Sequence, residues 1–129
     1  MTEGRSERTQ DRNERIYALA TRLLAASKED KISWGEQYPT QFYTRLGENF
    51  AVIQSVDADD RHPYRFFIED SQETDLGGIS TAETYELEDD WRETLGELYA
   101  VAKRKGGRIE RALDSMFSEL QKAEDDIPF

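Results

Sequence analysis

The sequence predicts an α+β fold: a small antiparallel sheet of three to four strands, with an N-terminal helix and two C-terminal helices packed on it. Three observations predict this. Apolar residues recur at helical spacing near the N-terminus, alternate at strand spacing through the middle, and return to helical spacing before the C-terminus. A chain of 129 residues suits one domain. The expected organisation is a flexible stretch over 1–12, a folded domain over 13–122 and an acidic tail over 123–129.

Residues 1–12 carry charges, Gly4 and Ser6, and no large apolar residue beyond Met1, so they read as loosely ordered. A first helix is expected over Asp11–Lys28, where Ile16, Leu19, Leu23 and Leu24 share a face with Ala20 and Ala26 nearby. The segment Ile32–Pro39 reads as a connector from which Ile32, Trp34 and Tyr38 reach the core. Strand signals follow. Gln41–Leu46 alternates, with Phe42, Thr44 and Leu46 on one side, and Gly47-Glu48-Asn49 is a hairpin turn. Phe50–Val56 and Tyr64–Glu69 are the next strands, separated by a polar loop over Asp57–Pro63. Asp70–Gly78 reads as a turn region, and Ile79–Tyr85 as a short fourth strand.

Two helices complete the pattern. Trp91, Leu95, Leu98, Tyr99 and Ala102 mark one over Asp90–Lys105. Asp89 and Asp90 suit its positive start, and Lys103, Arg104 and Lys105 its negative end. Gly106-Gly107 stops it. Ile109, Ala112, Leu113, Met116, Phe117 and Leu120 mark the second, over Arg108–Lys122. Its broad apolar face also suits pairing with a second copy in a homodimer.

Composition excludes several classes. With no Cys, neither a disulfide scaffold nor a thiolate zinc site can form. No apolar run approaches the ~20 residues of a membrane span, and Met1–Arg15 lacks the apolar stretch of a signal peptide. A soluble cytoplasmic protein without membrane contact is expected. No phosphate loop or nucleophile elbow occurs, no carboxylate pair stands out, and no cofactor is called for, so the expectation is a non-enzyme.

The net charge of −11 argues against a protein that simply coats DNA, because phosphate contacts need Lys and Arg. That charge is unevenly placed. Asp57–Asp90 holds 12 carboxylates against only Arg61 and Arg65, and Ala123–Phe129 adds −3. Between them, Trp91–Lys122 has 7 basic and 5 acidic residues. The basic cluster Lys103, Arg104, Lys105, Arg108 and Arg111 brackets two glycines at a helix start, where side chains and backbone amides can hold phosphates. The alternative is dipole complementarity and solvation of a helix junction. The acidic block, in turn, reads either as a solvated surface or as an imitation of a DNA backbone that inhibits a nucleic-acid enzyme. The aromatics Phe42, Tyr43, Phe50, Tyr64, Phe66 and Phe67 read as core or as a base-stacking face. Asp57, Asp59, Asp60 and His62 form a hard-ligand cluster, but it lacks the Gly and later Glu of a calcium loop, and no metal is called for.

The most specific signal is the end of the sequence: Glu124-Asp125-Asp126-Ile127-Pro128-Phe129. A pocket with an apolar floor and a basic edge can hold a terminal Phe ring and its α-carboxylate together. Pro128 restricts the backbone and reduces the ordering cost, Ile127 adds apolar contact, and the three acids steer toward a basic rim. At roughly 1/20 per position, one given terminal tripeptide arises about once in 8,000 chains. This ending resembles the C-terminal tip of bacterial single-stranded DNA-binding proteins, which end in acidic residues followed by Ile-Pro-Phe or a close variant. Asp125 to Phe129 match position by position, and Glu124 stands where the family more often has Asp. The resemblance stops there, because the family's domain is a five-stranded oligonucleotide-binding barrel and this sequence shows neither enough strands nor a leading strand. It implies docking onto helicases, exonucleases, recombination mediators and replication subunits. The expected function is thus an accessory protein of DNA metabolism, of phage or bacterial kind, that docks partners through its tip and contacts single-stranded DNA through the basic cluster. The alternative is an acidic interaction module or a DNA mimic.

Overall fold

The elements follow the order α1 (Thr2–Lys28), β1 (Gly35–Tyr38), β2 (Gln41–Leu46), β3 (Asn49–Ser55), β4 (Tyr64–Glu69), β5 (Asp75–Ser80), α2 (Trp91–Gly106) and α3 (Arg108–Asp125). The structure is a computed structural model and describes residues 2–125, with side chains from Thr9 onward. It is an α+β fold. The sheet is an antiparallel meander with the strands in chain order, β1 to β5.

Its inner face is organised by one cross-strand row. Phe42, Ile53, Phe66 and Ile79 sit opposite one another on four neighbouring strands, all fully buried. Because side chains alternate along a strand, Thr44, Ala51 and Tyr64 point the same way and are also buried. Helix α2 lies against β1 to β4, and α1 packs on α2 and β5. Trp91, Leu95, Leu98, Tyr99 and Ala102 of α2 close the core, as do Tyr17, Ala20, Leu23 and Leu24 of α1. The Tyr99 ring meets Phe42 edge-on at 5.5 Å and stacks on Tyr64 at 4.8 Å. Trp34 is buried, and its indole N–H donates to Ser27 Oγ (2.8 Å), which donates to the Leu23 carbonyl (2.6 Å). No polar atom of this pair is left unsatisfied inside the core.

Several expectations change. The sheet has five strands, not three to four. The connector contributes β1, a four-residue edge strand with a register shift between Glu36 and Tyr38. Tyr38 is 60% exposed and does not reach the core. The last strand is Asp75–Ser80, earlier than the expected Ile79–Tyr85, and it includes the two glycines read as a turn. Gly78 lies there because a Cβ would come within 2.2 Å of the Phe66 carbonyl oxygen. A glycine in a strand interior marks just such a close backbone approach. The β2–β3 turn is as expected, with Gly47 at φ 67°. At the N-terminus, helix α1 extends back through the residues read as loosely ordered. That stretch is rich in Glu, Arg and Gln, which are good helix formers. Helix α3 continues past Lys122 to Asp125 and so takes in the first residues assigned to the tail. It leaves the end of α2 without packing on the inner face of the sheet and buries none of its side chains.

Candidate functional site

Of the tip, Glu124 and Asp125 form the exposed end of α3, with Gln121 Nε2 donating to Asp125 Oδ1 at 3.2 Å. Asp126, Ile127, Pro128 and Phe129 lie outside the described residues.

The basic cluster does not form one surface. Gly107 is extended (φ −63°, ψ 134°) and separates the last turn of α2 from the first turn of α3. Lys103 turns to the β3–β4 loop and pairs with Asp60 at 3.0 Å. Arg108 turns to β1, where it pairs with Glu36 at 3.5 Å. Arg104, Lys105 and Arg111 line a groove with Lys28, Trp34, Asp30 and Asp114. Lys105 is paired there with Asp30, whose carboxyl it holds below the usual range. Among the described residues Arg104 and Arg111 have no carboxylate within ion-pair distance. Lys28, at the end of α1, joins this patch across a long stretch of sequence and carried no signal of its own.

The acidic block is split by the meander. Asp57, Asp59 and Asp60 sit in the β3–β4 loop, and Glu83 to Asp90 lie in the β5–α2 connection at the same end of the sheet. Glu69, Asp70, Glu73 and Asp75 sit at the opposite end. Two of these acids are tied down. Arg65 donates to both carboxylate oxygens of Asp75 (2.6 and 3.2 Å) and holds its carboxyl below the usual range. Tyr99 Oη donates to Asp60 Oδ1 at 2.5 Å, and that bond, with Lys103, depresses the Asp60 carboxyl. Burial, reinforced by Asp60, pushes the Tyr99 phenol far above its ordinary value.

The ligands of the hard-ligand cluster point elsewhere. Asp59 accepts from Ser55 Oγ and the Arg61 amide, Asp60 is engaged as described, and His62 Nδ1 lies 3.2 Å from Thr81 Oγ1. Among the described residues no group of three or more His, Cys, Asp or Glu is arranged to hold a metal. Tyr64 donates to the Asp60 carbonyl (3.0 Å), so Tyr64, Tyr99 and Lys103 together anchor the β3–β4 loop. Sequence spacing carried no hint of this. Tyr99→Phe should lower stability by about 1–2 kcal/mol through loss of a hydrogen bond to a carboxylate. A urea midpoint equal to that of the parent chain would show that the loop is held by other contacts.

The aromatics divide between the two faces. Phe42, Tyr64 and Phe66 belong to the core. Tyr43, Phe50 and Phe67 lie on the outer side of the sheet, with Tyr43 and Phe50 packed edge-on at 5.9 Å and Phe67 buried there under the Arg65 guanidinium, 4.4 Å above its ring. A cleft of about 350 Å³ opens on this side, lined by Glu36, Gln37, Tyr43, Phe50, Glu69, Glu73 and Arg108. A base stacked on Tyr43 or Phe50 would bring its phosphates against Glu36, Glu69 and Glu73, so the outer face does not suit nucleic acid.

Glu69 is 7% exposed, and burial, with Glu73, Asp75 and Asp70 nearby, raises its carboxyl above the ordinary value of 4.5. The folded state therefore prefers the protonated form. Its favourable contribution is present below 4.5 and is lost as pH rises through the higher folded value. Glu69→Gln should raise the Tm at neutral pH and have little effect below pH 4.5. An equal gain at both pH values would remove the titration from the explanation.

Comparison of this chain with protein-family models, with curated proteins and with solved structures finds no match. Among the described residues no helix is long and apolar enough to cross a membrane.

Proposed function

We propose that the chain is a non-enzymatic, cytoplasmic accessory protein of DNA replication, recombination or repair. Its C-terminal tip, Glu124 to Phe129, docks proteins that read the tips of single-stranded DNA-binding proteins. The ending Asp125-Asp126-Ile127-Pro128-Phe129 carries this reading, with Phe129 taken as the bearer of the terminal carboxylate. The placement of α3 supports it. Glu124 and Asp125 are exposed at the end of α3. The partners are helicases, exonucleases and recombination mediators with an apolar pocket edged by Arg or Lys.

A fluorescent Glu124–Phe129 peptide tests the reading. It should bind a tip-reading exonuclease or helicase and be displaced by the unlabelled full chain. A peptide that binds no such enzyme removes the docking function.

Contact with single-stranded DNA is the second part of the proposal, and it falls to Lys28, Arg104, Lys105 and Arg111 around the groove beside α2. So few cations, with Asp30 and Asp114 among them, suit weak and strongly salt-dependent retention. No retention of a labelled oligonucleotide at low salt leaves protein docking alone. The DNA-mimic alternative would need a continuous acidic face, whereas these acids are divided between the two ends of the sheet.

A further inference from the structure

Helix α3 leaves its apolar stripe uncovered. Ile109, Leu113, Met116, Phe117 and Leu120 are 41–67% exposed, although α3 is 18 residues and ~27 Å long. A stripe of this kind marks an interaction surface, not an ordinary solvated face.

The geometry points to a second copy of this chain as the occupant, in an antiparallel α3–α3 pair. Two observations choose it. The first is that the stripe is the same read in either direction. With two helices antiparallel and centred between Asp114 and Ser115, Ile109 falls opposite Leu120, Ala112 opposite Phe117, and Leu113 opposite Met116. Each of these six positions then meets another, and the largest side chain of the six meets the smallest. A two-fold, self-complementary interface requires this reversal symmetry, whereas an unrelated partner does not. The spacing Ile109, Leu113, Met116, Leu120 also alternates four and three residues, the seam spacing of paired helices.

The second observation is charge. The start of the helix carries Arg108 and Arg111 against Glu110. From Asp114 to Asp125, four carboxylates oppose only Lys122. Antiparallel pairing sets each basic start beside the partner's acidic end and opposes the two helix dipoles. A parallel pair would place acid on acid.

This pairing does not depend on the tip reading. It would also give each assembly two tips, at opposite ends of the helix pair.

Light scattering of the full chain during size exclusion should give twice the 15.0 kDa chain mass. Leu113→Glu with Met116→Glu should halve it and keep the urea midpoint of the parent chain measured at a dilution where the parent too is monomeric, because both side chains lie outside the core. The orientation is read by cross-linking, which is clean because the chain has no Cys. An oxidised mixture of Ile109→Cys and Leu120→Cys chains should form a disulfide dimer, while each variant alone should not. A parent chain that stays at monomer mass overturns the proposal and leaves the stripe to a different protein. Cross-linking of each variant with itself overturns the antiparallel arrangement.

Discussion

Replacing Phe66 with alanine is expected to lower the stability of the fold by about 3–5 kcal/mol. Phe66 is fully buried at the centre of the row that joins four strands, between Ile53 and Ile79. Removing its ring takes away apolar burial and leaves a void that the sheet and α2 cannot both close. Small domains have only about 5–15 kcal/mol in total, so the variant should be marginal and melt roughly 10–20 °C lower. Leu113→Ala on the exposed face of α3 is the matched control. It should leave the core's stability within about 0.5 kcal/mol when the chain is dilute. Urea titration of both proteins measures the difference. A Phe66→Ala midpoint close to that of the parent would mean that the inner face of the sheet is not the core.

The second large effect is expected at the tip. Deleting Phe129 should weaken docking to a tip-reading enzyme about 100-fold, the scale of losing one buried anchor residue. The core should be untouched, because its residues all precede α3. If Phe129 bears the terminal carboxylate, as the proposal takes it to, adding one residue after it should do nearly the same damage by moving the carboxylate away from the ring. Asp125→Asn should cost less and act mainly on the association rate, as rim charges do. Surface plasmon resonance with the immobilised enzyme separates these cases. Equal losses from Asp125→Asn and from deletion of Phe129 would point to a purely electrostatic contact without a pocket.

The molecule also shows where sequence patterns inform and where they do not. β2 and β4 have the bounds that their strand-forming residues predict, but only β2 alternates, through Thr44, whereas β4 also buries Phe67 and Glu69 on its outer side. β1 is too short to alternate, and β5 is masked by Gly77 and Gly78. The second of these is demanded by a backbone approach that only the tertiary fold creates. The helical period of α3 is fully legible, yet its burial is not. A 3.6-residue stripe says that one face seeks a partner, but not whether that partner lies in the same chain.

The candidate site follows the same rule. Five basic residues adjacent in sequence read as one cluster, but the extended Gly107 sends Lys103 and Arg108 to carboxylates on different sides. The Tyr99–Asp60–Lys103 anchor joins residues far apart in the chain, so no local motif announces it. The tip is the opposite case. The proposed docking rests on the order of six residues, of which Glu124 and Asp125 are exposed at the end of α3.

Competition tests the central claim most directly. The full chain and a peptide with the Asp-Asp-Ile-Pro-Phe tip of a bacterial single-stranded DNA-binding protein are offered together to one tip-reading exonuclease. Docking through Glu124 to Phe129 predicts mutually exclusive binding, with displacement lost when Phe129 is deleted. Simultaneous binding of both, or displacement that survives the deletion, would contradict it.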